Sequence, residues 1–226
     1  MQNINHKDWR LLYILAAIGA FASLALIPIQ MVFFILWPLP TEVLAWFERF
    51  DQNWLIGLIS LDILFIVQNA LIMVLYLAFI VILWPVNRAV ILLAAAFAFI
   101  GLSLYFSSNV SFEMLNLSQQ YFATTDFAAQ NQLLGAGRMA LAIFVGTSFD
   151  VYYIFSGLAL LLFSYAMLNA QHFSKLTAYF GLIAGALMLV PATAGILGLT
   201  MSILSLIPWI AFCFLVGRCL IDMSHK

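Results

Sequence analysis

Long apolar runs broken by short polar punctuation dominate the chain. A bilayer core of about 30 Å is crossed by around 20 consecutive apolar helical residues. The pattern predicts six such spans, at about 11–37, 54–84, 89–106, 149–168, 176–197 and 203–221. The first begins after Lys7 and Arg10, and Ala20-Phe21-Ala22 imitates a signal-peptide cleavage site. Apolarity runs on unbroken to Trp37, so the reading is an uncleaved helix. Pro28, Pro191 and Pro208 are expected to kink their helices, which neighbouring helices tolerate in a bundle. The predicted fold is an all-α polytopic membrane helix bundle, residues 1–226 forming a single domain.

Two further elements sit between spans. Thr41 is placed to cap a short helix through Phe50. On it Val43, Leu44, Trp46, Phe47 and Phe50 would face lipid, and Glu42, Glu48, Arg49 and Asp51 water, as in an interfacial amphipathic helix. From Ser107 to Phe149, the longest segment outside the spans, the chain is semi-polar to Gln120 and mostly apolar from Leu133, and a turn signal at Thr124-Thr125-Asp126 between two helical stretches predicts a hairpin extending the bundle. Glu113 lies twelve residues before Thr125 and Arg138 thirteen after it, so the two charges come level and are expected to pair. Such a pair offsets the cost of placing Arg138 among apolar neighbours.

Charge then orients the map. There are eight Lys+Arg and nine Asp+Glu in 226 residues. With both termini in the cytoplasm, Lys7, Arg10, Arg88, Lys175, Arg218 and Lys226 fall inside, leaving only Arg49 and Arg138 outside. This obeys the positive-inside rule. A seventh crossing at 133–149 would reverse the last three, so six spans is preferred. Trp9 and Trp84 at the inner ends and Trp37 and Trp54 at the outer ends suit interfacial anchors. The hairpin and the amphipathic helix accordingly belong to the outer face.

Composition excludes several classes. At 66% hydrophobic and 8% charged, with net charge −1, the chain is neither a soluble globular enzyme nor a nucleic-acid binder. The partners expected are membrane lipids, with a small-molecule ligand or a membrane-protein partner. His6, His172 and His225 all lie in cytoplasmic segments, so no intramembrane haem or zinc site is expected, and no cofactor is called for. No lysine lies in mid-span and no HExxH, P-loop or GxGxxG occurs. Cys213 and Cys219, six residues apart, lie too far apart along one helix to form a disulfide and read as reduced packing residues.

The remaining polar residues define a candidate site. Ionisable groups inside spans are functional hypotheses by default. Asp62 lies about 33 Å of helix from Trp84, near the outer boundary. Asn69 is nearly in line with it, Tyr76 continues that face, and Gln68 sits alongside. Asp150, three residues after Thr147, has capping-box spacing. The candidate is an outward-open polar pocket of Asp62, Asn69, Glu113, Arg138, Asp150 and Tyr153. Its bland counterpart is a set of interhelical hydrogen bonds worth about 0.6 kcal/mol each. Gly181 and Gly185 with Ala178 form a small-residue stripe for close helix packing. Asp62 and Asp150 each open a helix whose following loop carries a basic residue, which suggests a parallel repeat of spans two–three and four–five.

Some strings are familiar. Ser111-Phe112-Glu113-Met114-Leu115 with Leu117-Ser118, Gly146-Thr147-Ser148-Phe149-Asp150-Val151-Tyr152-Tyr153-Ile154 and Pro85-Val86-Asn87-Arg88 resemble a large family of bacterial six-span membrane proteins catalogued as a domain of unknown function. The resemblance runs from about the second span onward. It implies a bacterial cytoplasmic membrane location and a single domain, and it transfers neither an activity nor functional residues. Three functions follow as expectations: binding or moving a small solute or lipid through the polar pocket, a non-catalytic accessory or sensory subunit, or a carboxylate-based lipid-modifying enzyme.

Overall fold

The computed structural model describes residues 6–225, with side chains from residue 8 onward. Lys226, used above to orient the chain, and the side chains of His6 and Lys7 lie outside the described residues. Among the described residues every regular element is helical. The order is α1 (His6–Leu36), α2 (Val43–Gln52), α3 (Trp54–Ser60), α4 (Ile63–Leu83), α5 (Arg88–Ser108), α6 (Ser111–Ala123), α7 (Phe127–Phe144), α8 (Thr147–Met167), α9 (Lys175–Leu187) and α10 (Gly195–Ser224). The chain divides into two compact units, each assembled from separate stretches of sequence.

Unit 1 comprises residues up to 25, 68–104 and 150 onward. Its helices are apolar on nearly all sides, as helices surrounded by both protein and lipid must be. The core is aromatic. Phe79 sits at centroid distances of 5.5 Å from Phe163, 5.9 Å from Phe173 and 6.0 Å from Phe212, while Tyr76 stacks on Phe163 at 5.5 Å. Tyr13, Phe79, Phe163 and Phe212 are fully buried. The predicted small-residue stripe does what its spacing implied. A Cβ on Gly157 would lie 2.9 Å from the Gly185 carbonyl oxygen, and one on Gly185 would lie 2.9 Å from the Gly157 carbonyl oxygen. Only glycine at both positions lets the α8 and α9 backbones come this close. Cys213 is buried and forms no disulfide with Cys219.

Unit 2 comprises residues 26–67 and 105–149. The expected hairpin is present as α6 and α7, and its turn falls where the sequence put it. Asp126 caps α7 by accepting from the Ala128 amide at 3.0 Å, and the Gln130 side chain donates to the Thr124 carbonyl at 3.0 Å. Its amphipathic companion differs from expectation. Helix α2 begins at Val43 after Glu42, with no side-chain cap from Thr41. Val43, Trp46, Phe47 and Phe50 do not face lipid; they are buried with Leu58, Met114 and Ala140 in the core of this unit. Only Leu44 of the apolar set stays exposed. A Cβ on Gly137 would come within 2.6 Å of Val43 Cγ1, so glycine there lets α7 close on α2.

The span count is the main correction. Five helical stretches are long and apolar enough to cross a membrane: Asp8–Leu36, Ile63–Leu83, Arg88–Ala123, Phe127–Met167 and Gly195–Ser224. The expected second span breaks at Leu61–Asp62, so within 54–84 α4 is the part long enough to cross. The expected fifth span is shorter still, since α9 ends at Leu187 after 13 residues, about 20 Å of helix. Pro191 therefore kinks no helix; it lies in the irregular segment 188–194. The ends of that short helix are nonetheless tied to its neighbours. Thr193 donates to the Asp150 carboxylate at the start of α8, and Cys219 Sγ donates to the His172 carbonyl at 3.0 Å near the end of α10. The proposed repeat is imperfect: α4 and α8 both have 21 residues, but α5 has 21 where α9 has 13.

Candidate functional site

The break between α3 and α4 is built around one residue. Asp62 has φ of 62°, the single described non-glycine residue in the left-handed region. That conformation costs an L-residue about 1–2 kcal/mol, with Asp and Asn the least penalised. It gives Asp62 the place a glycine commonly takes at a helix end, while its carbonyl opens the next helix by accepting from Phe65 and Ile66 amides at 2.9 and 3.2 Å. Breaking a helix strands carbonyl groups, and polar side chains meet them here. The Leu61 carbonyl accepts from Asn109 Nδ2 at 2.8 Å and Ser111 Oγ at 2.7 Å. Tyr105 donates to the Asp62 carbonyl at 3.5 Å. From α1, Gln30 Nε2 donates to the Ile59 carbonyl at 3.1 Å and reaches Asp62 Oδ1 at 3.5 Å. Asp62 keeps some exposed surface, yet the protein atoms packed round its carboxyl push the acid up to about 7.

A second feature of the same unit was not expected to be structural. Arg49, read from sequence as a water-facing charge, folds back over its surroundings. Its Nη2 donates to the Pro38 carbonyl at 2.7 Å, and Nη1 donates to Ser60 Oγ at 3.0 Å and to the Trp37 carbonyl at 3.5 Å. The guanidinium carbon lies 5.7 Å from the Trp46 ring centroid, and partial burial lowers the pKa of the group. A surface cleft of about 420 Å³ is lined by the polar side chains of Glu48, Arg49, Gln52 and Asn53 together with Trp37, Pro40, Ala45 and Ile56. A guanidinium has five N–H donors. Three are engaged here, which leaves Nε and one Nη2 hydrogen without a partner among the described residues.

The six residues of the sequence-derived pocket divide between the units. Asp62, Glu113 and Arg138 belong to unit 2, and Asn69, Asp150 and Tyr153 to unit 1. Within unit 2 the expected Glu113–Arg138 ion pair does not form. Both side chains are exposed, Glu113 on α6 and Arg138 on α7, and neither packs against the other. Asp62 instead takes its partners from Gln30 and Tyr105. Within unit 1, Tyr152 donates to Asn69 Oδ1 at 3.1 Å, and Tyr153 donates to Ser202 Oγ at 2.8 Å. Asp150 binds Thr193, and Thr147 is the first residue of α8, so the expected Thr147–Asp150 capping box is not formed. Gln30, Asn109 and Ser111 were missed. A signal for Gln30 existed, as a lone amide in an apolar run; Asn109 and Ser111 fell in the semi-polar stretch that reads as a helical continuation of the third span. Among the described residues no group of three or more His, Cys, Asp and Glu side chains is arranged to hold a metal.

A model for a domain of unknown function, DUF4386, matches residues 11–221, nearly the whole chain. The chain belongs to this family. No curated protein and no solved structure matches it. Family membership agrees with the resemblance carried by the strings around Glu113 and Asp150, and with a multi-pass membrane protein.

Proposed function

We propose that this DUF4386 member binds a small solute or lipid through the polar groups of unit 2, at the extracytoplasmic face of a bacterial cytoplasmic membrane. The observation that carries the reading is the cleft beside Arg49. At about 420 Å³ it falls in the range of roughly 300–1,000 Å³ typical of small-molecule sites. It presents a guanidinium with unused donors and no carboxylate partner, and Trp37 is among its lining residues. A half-buried cation without a counter-ion is costly to maintain, which favours a ligand that completes it. In this topology α9 and the segment 188–194 together make a sixth crossing, supported by the Thr193–Asp150 and Cys219–His172 hydrogen bonds at its two ends. Both termini are then cytoplasmic.

The test is a thermal-shift screen of the purified full-length protein against lipids and polar metabolites. At least one compound raises the unfolding temperature of wild type, and the same compound has a weaker effect on Arg49→Lys. If no compound shifts wild type, the binding reading fails. A second reading, an accessory or sensory subunit, is favoured by one observation: the hairpin leaves Phe112, Phe127 and Met139 more than 60% exposed. Co-purification of a stoichiometric membrane-protein partner that a Phe127→Ser variant loses supports that reading.

A further inference from the structure

Glu48 and Arg49 are neighbours in sequence and line the same cleft, yet they form no ion pair with each other. Arg49 is turned toward Pro38, Trp37 and Ser60, and Glu48 stays exposed without a partner among the described residues. Gln52 likewise has no partner there. Asn53 spends its side-chain oxygen on the Leu55 and Ile56 amides, both at 3.1 Å, which leaves its Nδ2 hydrogens free. The cleft thus offers two kinds of group in one space: donors at Arg49 and Asn53 for an anion, and an acceptor carboxylate at Glu48, with the Gln52 amide oxygen, for a cation.

We propose that the cleft is a headgroup site for a zwitterionic phospholipid bearing a primary amine. The phosphate takes the free Arg49 and Asn53 donors, and the ammonium takes Glu48 and Gln52. Charge balance argues for a zwitterion: one Arg and one Glu sum to zero, so a purely anionic headgroup leaves Glu48 repelled and an uncharged one leaves both groups unmatched. A primary ammonium offers three N–H donors, whereas a quaternary ammonium offers none to a carboxylate. The surroundings argue for a lipid rather than a soluble molecule. The cleft opens just past the end of α1, a membrane-spanning helix, and its neighbourhood exposes Leu36, Trp37, Leu39, Trp54 and Leu55. Tryptophans at the end of a span mark the headgroup level of a bilayer, so the phosphate and the acyl chains each meet the surface that suits them.

This inference rests on the ligand-binding reading above, and the experiment separates the two. Detergent-purified protein is titrated with phosphatidylethanolamine, phosphatidylcholine, phosphatidylglycerol and water-soluble phosphoethanolamine, with binding counted by native mass spectrometry. The expected result is phosphatidylethanolamine binding about tenfold tighter than the other three. Glu48→Gln, a change at an exposed side chain, reduces the preference over phosphatidylglycerol to about twofold or less, and Arg49→Lys weakens every phosphate-bearing ligand. Equal binding of phosphatidylcholine, tighter binding of phosphatidylglycerol, or an unchanged preference in Glu48→Gln overturns the zwitterion assignment and leaves the binding reading standing. Phosphoethanolamine binding as tightly as the lipid overturns the lipid source. Absence of binding by any of the four overturns this inference, whereas the broader reading fails only if the whole panel is silent.

Discussion

The two units of this protein solve opposite problems with similar helices. Unit 1 is held by bulk: Tyr76, Phe79, Phe163 and Phe212 fill its centre, and the Gly157–Gly185 approach brings backbones together. Few of its contacts depend on a single polar atom, because long helices satisfy their own backbone groups. Unit 2 is assembled from shorter helices with frequent ends, and each end frees carbonyls that must be met. Side chains from distant stretches meet them: Asn109 and Ser111 on Leu61, Arg49 on Pro38. Polar residues therefore concentrate where helices are interrupted, and the unbound donors at the cleft arise in the same unit.

The sharpest way to break this contrast is a core truncation in unit 1. Phe79→Ala removes a ring that touches four others, Tyr76, Phe163, Phe173 and Phe212, and costs about 3–5 kcal/mol, read as a fall in the denaturant or thermal midpoint of the detergent-solubilised protein. A loss below about 1 kcal/mol would mean the aromatic cluster is not what holds that unit. Next in size is Gly137→Leu in unit 2, which drives a side chain into Val43 and Phe47 and costs about 1–3 kcal/mol. Faster amide exchange confined to α2 and α7 is the expected signature.

The helix break supplies the third test. Paired Asn109→Ala and Ser111→Ala changes leave the Leu61 carbonyl without its two side-chain donors, for a loss of about 1–3 kcal/mol. Asp62 adds a pH dependence whose sign is fixed. Its folded-state acid is raised to about 7 from an ordinary value near 3.8, so the folded form holds a proton that the unfolded form releases. Its contribution is fully present below the unfolded value and is lost as pH rises through about 7. Asp62→Asn retains the left-handed backbone and flattens the stability profile between about pH 4 and about pH 7. A profile unchanged in the variant would assign the titration elsewhere. Smallest of all, Glu113→Gln and Arg138→Gln each change stability by less than about 0.5 kcal/mol, and a larger coupled effect would restore the ion pair that the exposed side chains argue against.

Much of the architecture was legible in the sequence because its signals are local. The turn at Thr124-Thr125-Asp126 needs only a cap and a bend, and the Gly181/Gly185 stripe needs only helical spacing. The errors share a cause. Val43, Trp46, Phe47 and Phe50 form an apolar face, but periodicity is the same whether lipid or protein covers that face. Glu113 and Arg138 have matched distances from the turn, but position along a hairpin does not decide which way a side chain points. Gln30 lies 29 residues from the carbonyl it serves at Ile59, and no short-range pattern links them.

Hydropathy by itself determined that this chain lives in a membrane as a set of helices, because about 30 Å of hydrocarbon admits little else. It also determined where most of those helices begin and end. Only the tertiary structure decided which polar groups are available. Arg138, the conspicuous charge in an apolar segment, is exposed and does not pair with Glu113, while Arg49 is drawn over Ser60 and Trp46 with donors to spare. Charge type is written in the sequence, but whether a charge is solvated, paired or left open depends on packing between residues far apart along the chain.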